Sequence, residues 1–227
     1  MSKFYVVATP IGNMGDITLR AIETLKSVDM ILCEDTRETK KILNKYNINK
    51  PTMSYHAQSK LAKVDKIFEL LEEGKDLALV SDAGTPGISD PGALLVSQLR
   101  ARTTLAQNID VIPIPGVSAV IAALSACGLP THEFTFFGFL PHKKGRETLF
   151  KEIAQAKRTV VFYESPHRIL KTLESLVKFC PDKKVCVARE LTKIYEEFKT
   201  GSPQQVLKYF IENPIKQKGE FTVLVSS

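Results

Sequence analysis

Between Leu77 and Gly92 a short apolar run, Leu77-Ala78-Leu79-Val80, gives way to Ser81-Asp82-Ala83-Gly84-Thr85-Pro86-Gly87-Ile88-Ser89-Asp90-Pro91-Gly92. The apolar run has the length and texture of a buried parallel strand. Three glycines and two prolines follow it, with Asp82 and Asp90 among them. Glycine lets a backbone pass close to a ligand, and proline stiffens that backbone. Asp90 suits the cap of a helix that begins at Pro91, where a missing N–H costs nothing. Open α/β sheets bind ligands at turns of this kind, at the carboxyl ends of their strands. The connection is also longer than a plain strand-to-helix link requires. The stretch therefore predicts a ligand loop in an α/β protein.

The same grammar recurs along the chain. Phe4 to Ala8 reads as a strand and runs into Thr9-Pro10-Ile11-Gly12-Asn13-Met14-Gly15-Asp16. A helix follows from Thr18 to Lys26, with Leu19, Ile22 and Leu25 on one face. Asp29 to Cys33 is the next strand; it delivers Glu34-Asp35-Thr36-Arg37 and then a helix carrying Lys40 and Lys41. Thr52 to His56 is a weaker strand, Val64 to Glu73 a helix, Pro91 to Arg102 another, and Ile109 to Ile114 a strand. Pro115-Gly116-Val117-Ser118-Ala119 is a third Gly/Pro/Ser turn, and the nearly all-apolar run Val117 to Leu129 predicts a helix buried on every side. Such alternation predicts a parallel sheet with right-handed crossovers.

After Gly128 to Thr131 the texture changes. An aromatic strand, Phe134 to Leu140, runs into the basic loop Pro141-His142-Lys143-Lys144-Gly145-Arg146. Thr159 to Tyr163 is a buried strand that ends at Glu164-Ser165-Pro166-His167-Arg168. Lys184 to Ala188, Glu196 to Gly201 and Glu220 to Val225 are further strands, with a helix from Ser202-Pro203 to Ile211. Direct turns between some of these strands predict a mixed sheet. The expected organisation is two α/β domains, residues 1–114 and 115–227.

Several function classes are set aside by pattern. Thr9 to Asp16 has a G-x-x-G spacing, so it is neither a dinucleotide fingerprint nor a Walker loop. Cys33, Cys127, Cys180 and Cys186 form no C-x-x-C pair and have no histidine at ligand spacing, which indicates neither a metal site nor a disulfide framework. The first residues carry no secretory pattern, and the longest apolar stretch falls short of the ~20 residues of a membrane span. A reduced, cytoplasmic protein with no membrane contact is expected. A formal net charge of +6 is compatible with a polyanionic partner without demanding one.

The adjacent carboxylates Glu34 and Asp35, followed by Arg37, form a polar cluster at a strand end, and His56 reaches the same edge. Two readings stand: Asp35 or Thr36 caps a helix while Arg37 pairs with a carboxylate, or the cluster is catalytic. The basic loop at Lys143 and Lys144 is likewise either a solvated face or a phosphate contact.

Taken in order, Thr9-Pro10-Ile11-Gly12-Asn13, Glu34-Asp35-Thr36-Arg37, the whole Ser81 to Gly92 stretch, Pro115 to Ala119 and Phe162-Tyr163-Glu164-Ser165-Pro166-His167-Arg168 resemble the RNA-modifying branch of the tetrapyrrole methylase superfamily. The resemblance runs from Lys3 to Val225. It implies two α/β domains with S-adenosyl-L-methionine in the cleft between them, and a homodimer. The implied reaction is 2′-O-methylation of a cytidine ribose near the decoding centre of small-subunit (16S) ribosomal RNA, within the assembled small subunit. It also implies a cofactor wall of Pro10, Asp82, Gly84, Gly87, Ile88, Ser89, Ser118 and Ala119, joined by Leu140, Tyr163, Ala188 and Thr222. A ribose hydroxyl is a poor nucleophile, so a base or an alkoxide stabiliser is expected among Glu34, Asp35, Arg37 and His56. Lys40, Lys41, Lys143, Lys144, Arg146, His167 and Arg168 are the candidate RNA contacts, with Phe139 available for stacking. Two alternatives remain: methylation of a tetrapyrrole or other small molecule, and a non-catalytic basic ribosome-assembly factor.

Overall fold

The computed structural model describes residues 2–56, 61–103 and 109–226, which divide into two compact units, Met1–Ser118 and Ala119–Ser227.

The first unit alternates β1 (Ser2–Val7), α1 (Leu19–Ser27), β2 (Met30–Cys33), α2 (Thr36–Lys45), β3 (Thr52–Ser54), α3 (Leu61–Glu72), β4 (Leu77–Leu79), α4 (Gly92–Thr103) and β5 (Ile109–Ile114). Its five strands lie in the order β3-β2-β4-β1-β5, every pairing parallel. Strand side chains alternate between two faces, and both are buried. Phe4, Leu32, Leu77, Leu79 and Ile109 pack with α3 and α4, while Val7, Ile31, Cys33, Ala78, Val80 and Ile114 pack with α1 and α2. From β1 the chain therefore leaves toward β2 across one face, and from β4 it leaves toward β5 across the other. The neighbours β4 and β1 are the point where the winding reverses, the place where open α/β sheets hold ligands.

Local signals explain the helix starts. Thr18 caps α1 by accepting the Ala21 N–H at 3.1 Å, and Asp35 caps α2 by accepting the Arg37 N–H at 2.8 Å. Leu19, expected on the apolar face of α1, is exposed in its first turn. Asp90 does more than cap: its carboxylate accepts the N–H of Gly92 at 2.7 Å and also turns back to that of Gly87 at 2.8 Å. It therefore closes the preceding loop on itself.

The second unit contains α5 (Ala119–Ala126), β6 (Phe134–Phe139), α6 (Arg146–Gln155), β7 (Thr159–Glu164), α7 (Ile169–Phe179), β8 (Lys184–Arg189), β9 (Glu197–Gly201), α8 (Pro203–Glu212) and β10 (Phe221–Ser226). The sheet order is β6-β7-β10-β8-β9, parallel between β6 and β7 and antiparallel elsewhere, so it is mixed. Phe162, Val187, Val223 and Val225 pack under α6, α7 and α8 around Phe150, Leu173 and Phe210. The helix α5 lies against β10. It is shorter than the apolar run predicts, and Ile121 and Ala126 face solvent while Val120, Ala123 and Leu124 are buried. One sheet face covers one side of a helix; that is why high apolarity did not produce burial all round. The four cysteines are buried thiols, and among the described residues no helix is long and apolar enough to cross a membrane.

Candidate functional site

At the switch point the loops after β1, β4 and β5 are fastened to one another. Thr9 and Gly84 form a two-way bridge, Thr9 N–H to Gly84 O at 2.9 Å and Gly84 N–H to Thr9 O at 3.0 Å. The buried Thr9 hydroxyl donates to Ser81 O at 3.1 Å. Thr85 Oγ1 donates to Val117 O at 3.0 Å, tying in the loop after β5. Gly84 carries this bridge at φ +81°, a conformation that a side chain opposes, and Gly116 lies so close to Ala8 that an added Cβ would stand 2.9 Å from the Ala8 methyl. Pro10 is buried behind the bridge, whereas Asp82, Ile88 and Ser89 face outward. Sequence reasoning identified the central loop but missed Thr9 as its fastener. A threonine just after a strand, beside a proline, is the signal it left unused.

Beside this bridge the ends of β2, β3 and β4 enclose an open pocket of about 430 Å³ lined by Glu34, Asp35, Thr36, Arg37, Ser54, His56 and Asp82. All four residues singled out as catalytic candidates meet there. Their roles separate on electrostatic grounds. Arg37 donates through Nη2 to Asp35 at 2.6 Å and, with the backbone bonds of the α2 cap, holds the Asp35 carboxyl down at about 2. A carboxylate so stabilised is a weak base, and its geometry is that of a helix cap. Glu34 differs: burial, then the charges of Asp82 and Asp90, push its carboxyl above the ordinary range, with His56 offsetting part of the shift. The Asp35 N–H donates to Asp82 Oδ1 at 3.0 Å, so the β2 and β4 loops share a fixed geometry. Arg37, 86% exposed, extends its guanidinium over the rim. On α2, Lys40 and Lys41 are exposed, and Lys41 pairs with Glu38 at 2.7 Å.

In the second unit, Tyr163, Thr222 and Ala188 stand abreast on β7, β10 and β8, which puts them on one sheet face. Ala188 and Thr222 are buried, as is Leu140, which packs in the helical-side core. Only Tyr163 of the four offers accessible surface. A register shift between Phe136 and Phe139, with Gly138 at φ +61°, brings both rings against Tyr163 at centroid distances of 5.0 and 5.4 Å. Ser118 and Ala119 are half-buried. Lys143, Lys144 and His167 are exposed. Arg146 and Arg168 depart from the expectation of open phosphate contacts: their side chains are 16% and 14% exposed and turn onto Glu164, whose own side chain is fully buried.

A family model described as Tetrapyrrole (Corrin/Porphyrin) Methylases matches residues 3–206. The chain belongs to this family of methyltransferases. Among its relatives is the ribosomal RNA small subunit methyltransferase I of Synechocystis sp., 47% identical across 100% of this chain and 79% of that protein. The protein of the same name from Thermotoga maritima is 43% identical across 100% of this chain and 99% of its own length. Among solved structures, the methyltransferase CobJ is similar with a TM-score of 0.69 at 20% identity, covering 100% of this chain and 93% of that one. The cobalt precorrin-4 methyltransferase CbiF has a TM-score of 0.66 at 18% identity, covering 99% and 94%. The methylase fold expected from the motifs is thus the fold observed, with a parallel first sheet and a mixed second one.

Proposed function

We propose that this protein transfers a methyl group from S-adenosyl-L-methionine to the ribose 2′-hydroxyl of a cytidine in small-subunit ribosomal RNA. The observation that carries the reading is identity of 43–47% along essentially the whole chain to relatives named as ribosomal RNA small subunit methyltransferases. The first unit supports it chemically. Once the Thr9–Gly84 bridge and the Asp90 turn have used their backbone groups, the outward side of the loop retains the exposed Asp82, whose carboxylate gives one oxygen to the Asp35 N–H, the half-exposed Ile88 and Ser89. An apolar side chain suits a purine, and a carboxylate suits ribose hydroxyls, so the residues present fit a nucleoside cofactor.

When bound, the cofactor supplies a methyl group activated on a sulfonium. The chain's own task is alignment and proton removal. Holding the hydroxyl oxygen in line with the methyl supplies much of the rate. Glu34, the carboxylate of raised basicity in the pocket, would accept the hydroxyl proton. Arg37 on the rim meets a phosphate of the same strand. His56 lines the wall beside Glu34.

Incubation with S-adenosyl-L-methionine labelled in the methyl group and small ribosomal subunits from cells lacking the enzyme tests this directly. Label recovered on a cytidine ribose after digestion is expected. Label on a tetrapyrrole instead, with none on RNA, refutes the substrate while leaving the methyltransferase fold in place.

A further inference from the structure

Glu164 ends β7 inside the second unit, and its carboxylate is saturated. Oε1 accepts the Ser165 N–H at 2.8 Å and faces Arg168 Nε at 2.7 Å; Oε2 accepts the Thr172 hydroxyl at 2.6 Å and lies 3.5 Å from Arg146 Nη2. A buried ion network of this kind rarely adds stability over apolar packing of the same volume; what it adds is a specified geometry. That geometry concerns one loop. Arg168 Nη1 donates to Leu140 O at 2.8 Å, and Arg146 Nη1 donates to Pro141 O at 3.1 Å. The Arg146 N–H closes the turn on Lys143 O at 3.2 Å, and Gly145 takes φ +81° to complete it. The loop between β6 and α6 is thus pinned at the carbonyls of Leu140 and Pro141 by the two arginine side chains and at that of Lys143 by a backbone turn, while Lys143 and Lys144 remain exposed and, among the described residues, carry no ion pair.

We propose that Glu164 is a positioning residue for RNA: through Arg146 and Arg168 it fixes the Leu140–Gly145 loop so that Lys143 and Lys144 meet successive phosphates of the bound strand. The inference rests on the reading of the substrate as ribosomal RNA. It reassigns the two arginines from phosphate contacts to supports, and it makes the loop a preformed cationic surface. Preformation matters because two mobile lysines pay an ordering cost at each encounter that a fixed loop has already met.

The test is a double-mutant cycle on small subunits, read both as methyl-transfer kinetics over a series of salt concentrations and as subunit retention on filters. Each lysine–phosphate contact contributes about one unit to the slope of log affinity against log salt. Replacing both lysines by alanine is expected to flatten that slope by about two units. Glu164→Gln is expected to raise KM for subunits roughly tenfold with kcat held, and to flatten the slope by more than half a unit. In the background lacking both lysines, Glu164→Gln is expected to cost less than about twofold more, because the groups it positions are gone. An equal loss in both backgrounds, or an unchanged KM for Glu164→Gln, overturns the proposal, as does lysine replacement without effect on retention. Should Glu164→Gln fail to fold, Arg168→Lys, which keeps a cation beside Glu164 but lacks the second arm that reaches the Leu140 carbonyl, enters the same cycle. If the wild-type chain retains subunits but labels no RNA, the proposed function falls while the cycle stays readable as affinity; if it does not retain them, both fall.

Discussion

Gly116→Ala isolates the close approach that joins the loops after β1 and β5. The glycine does not need left-handed backbone, so alanine carries no conformational penalty there; the cost is steric. The new Cβ would stand 2.9 Å from the Ala8 Cβ, and ordinary contact requires a retreat of about 0.5 Å or more. Neither group has a rotamer through which to yield. Ala8 is also buried, and its N–H donates to Ile114 O at 3.2 Å, so its backbone is held by the strand that carries Gly116 onward. Overpacking of this type costs about 1–3 kcal/mol, which for a chain of this length moves the unfolding midpoint by about 2–4 °C per kcal/mol. The displaced loop carries Ser118, so affinity for S-adenosyl-L-methionine should also weaken, by roughly tenfold for about 1.4 kcal/mol of misfit. Urea unfolding and calorimetric titration measure the two effects. The decisive variant is Ala8→Gly combined with Gly116→Ala. Alone, Ala8→Gly loses a buried methyl and adds chain freedom, at about 1 kcal/mol or slightly more. In combination it removes the atom that the new Cβ meets, so the pair should be more stable than Gly116→Ala and bind cofactor nearly as wild type. If the two losses simply add, or if Gly116→Ala matches wild type in both assays, the loops are not coupled through this contact.

Glu34→Gln should reduce single-turnover methylation by about 10²- to 10⁴-fold, the usual contribution of a positioned base, whereas Asp35→Asn should cost far less. Equal effects of the two, or none from Glu34, would remove Glu34 from the proton's path. Because the Glu34 carboxyl titrates above its ordinary value, the rate at saturating substrate should rise with pH through a midpoint above 4.5 and then level, and Glu34→Gln should abolish that rise. Asp35 has the opposite sign. Its carboxyl is depressed to about 2, so its contribution to stability is complete above the unfolded value near 3.9 and is lost as pH falls through about 2. The stability difference between wild type and Asp35→Asn should therefore shrink in urea titrations taken from pH 5 down to pH 2.

Much of this architecture was legible because strands buried on both faces are written as short, continuous apolar runs, whose successive residues then divide between the two faces. Phe4, Leu32, Leu77 and Leu79 fall on one face and Val7, Ile31, Ala78 and Val80 on the other without exception. The loops at strand ends were legible from their glycines and prolines, and the sheet then gathers Glu34, Asp35, Arg37 and His56 around one pocket. Strand order is different. Nothing in the sequence of β10 places it between β7 and β8, because register depends on which edges remain open after the helices have packed. The fate of Arg146 and Arg168 was hidden for a related reason. A charged residue at a helix start reads as exposed until a buried partner is known, and Glu164 becomes that partner only when α6 and α7 lie side by side. Asp35 carries both of its readings into the structure, where the Arg37 pairing favours the cap.

The central place of β10 has a consequence for synthesis. Phe221 to Val225 supply the partners of β7 on one side and β8 on the other. Until that segment leaves the ribosome, Val160, Val161, Phe162, Val185 and Val187 lie on two strands whose facing edges have no neighbour. At about 5–20 residues per second, the wait after β7 emerges lasts several seconds. Unpaired apolar edges are templates for association with other chains. The nascent second unit is therefore a natural client for holding chaperones, whereas the strands of the first unit are all made before the second unit begins and can close their sheet while translation continues.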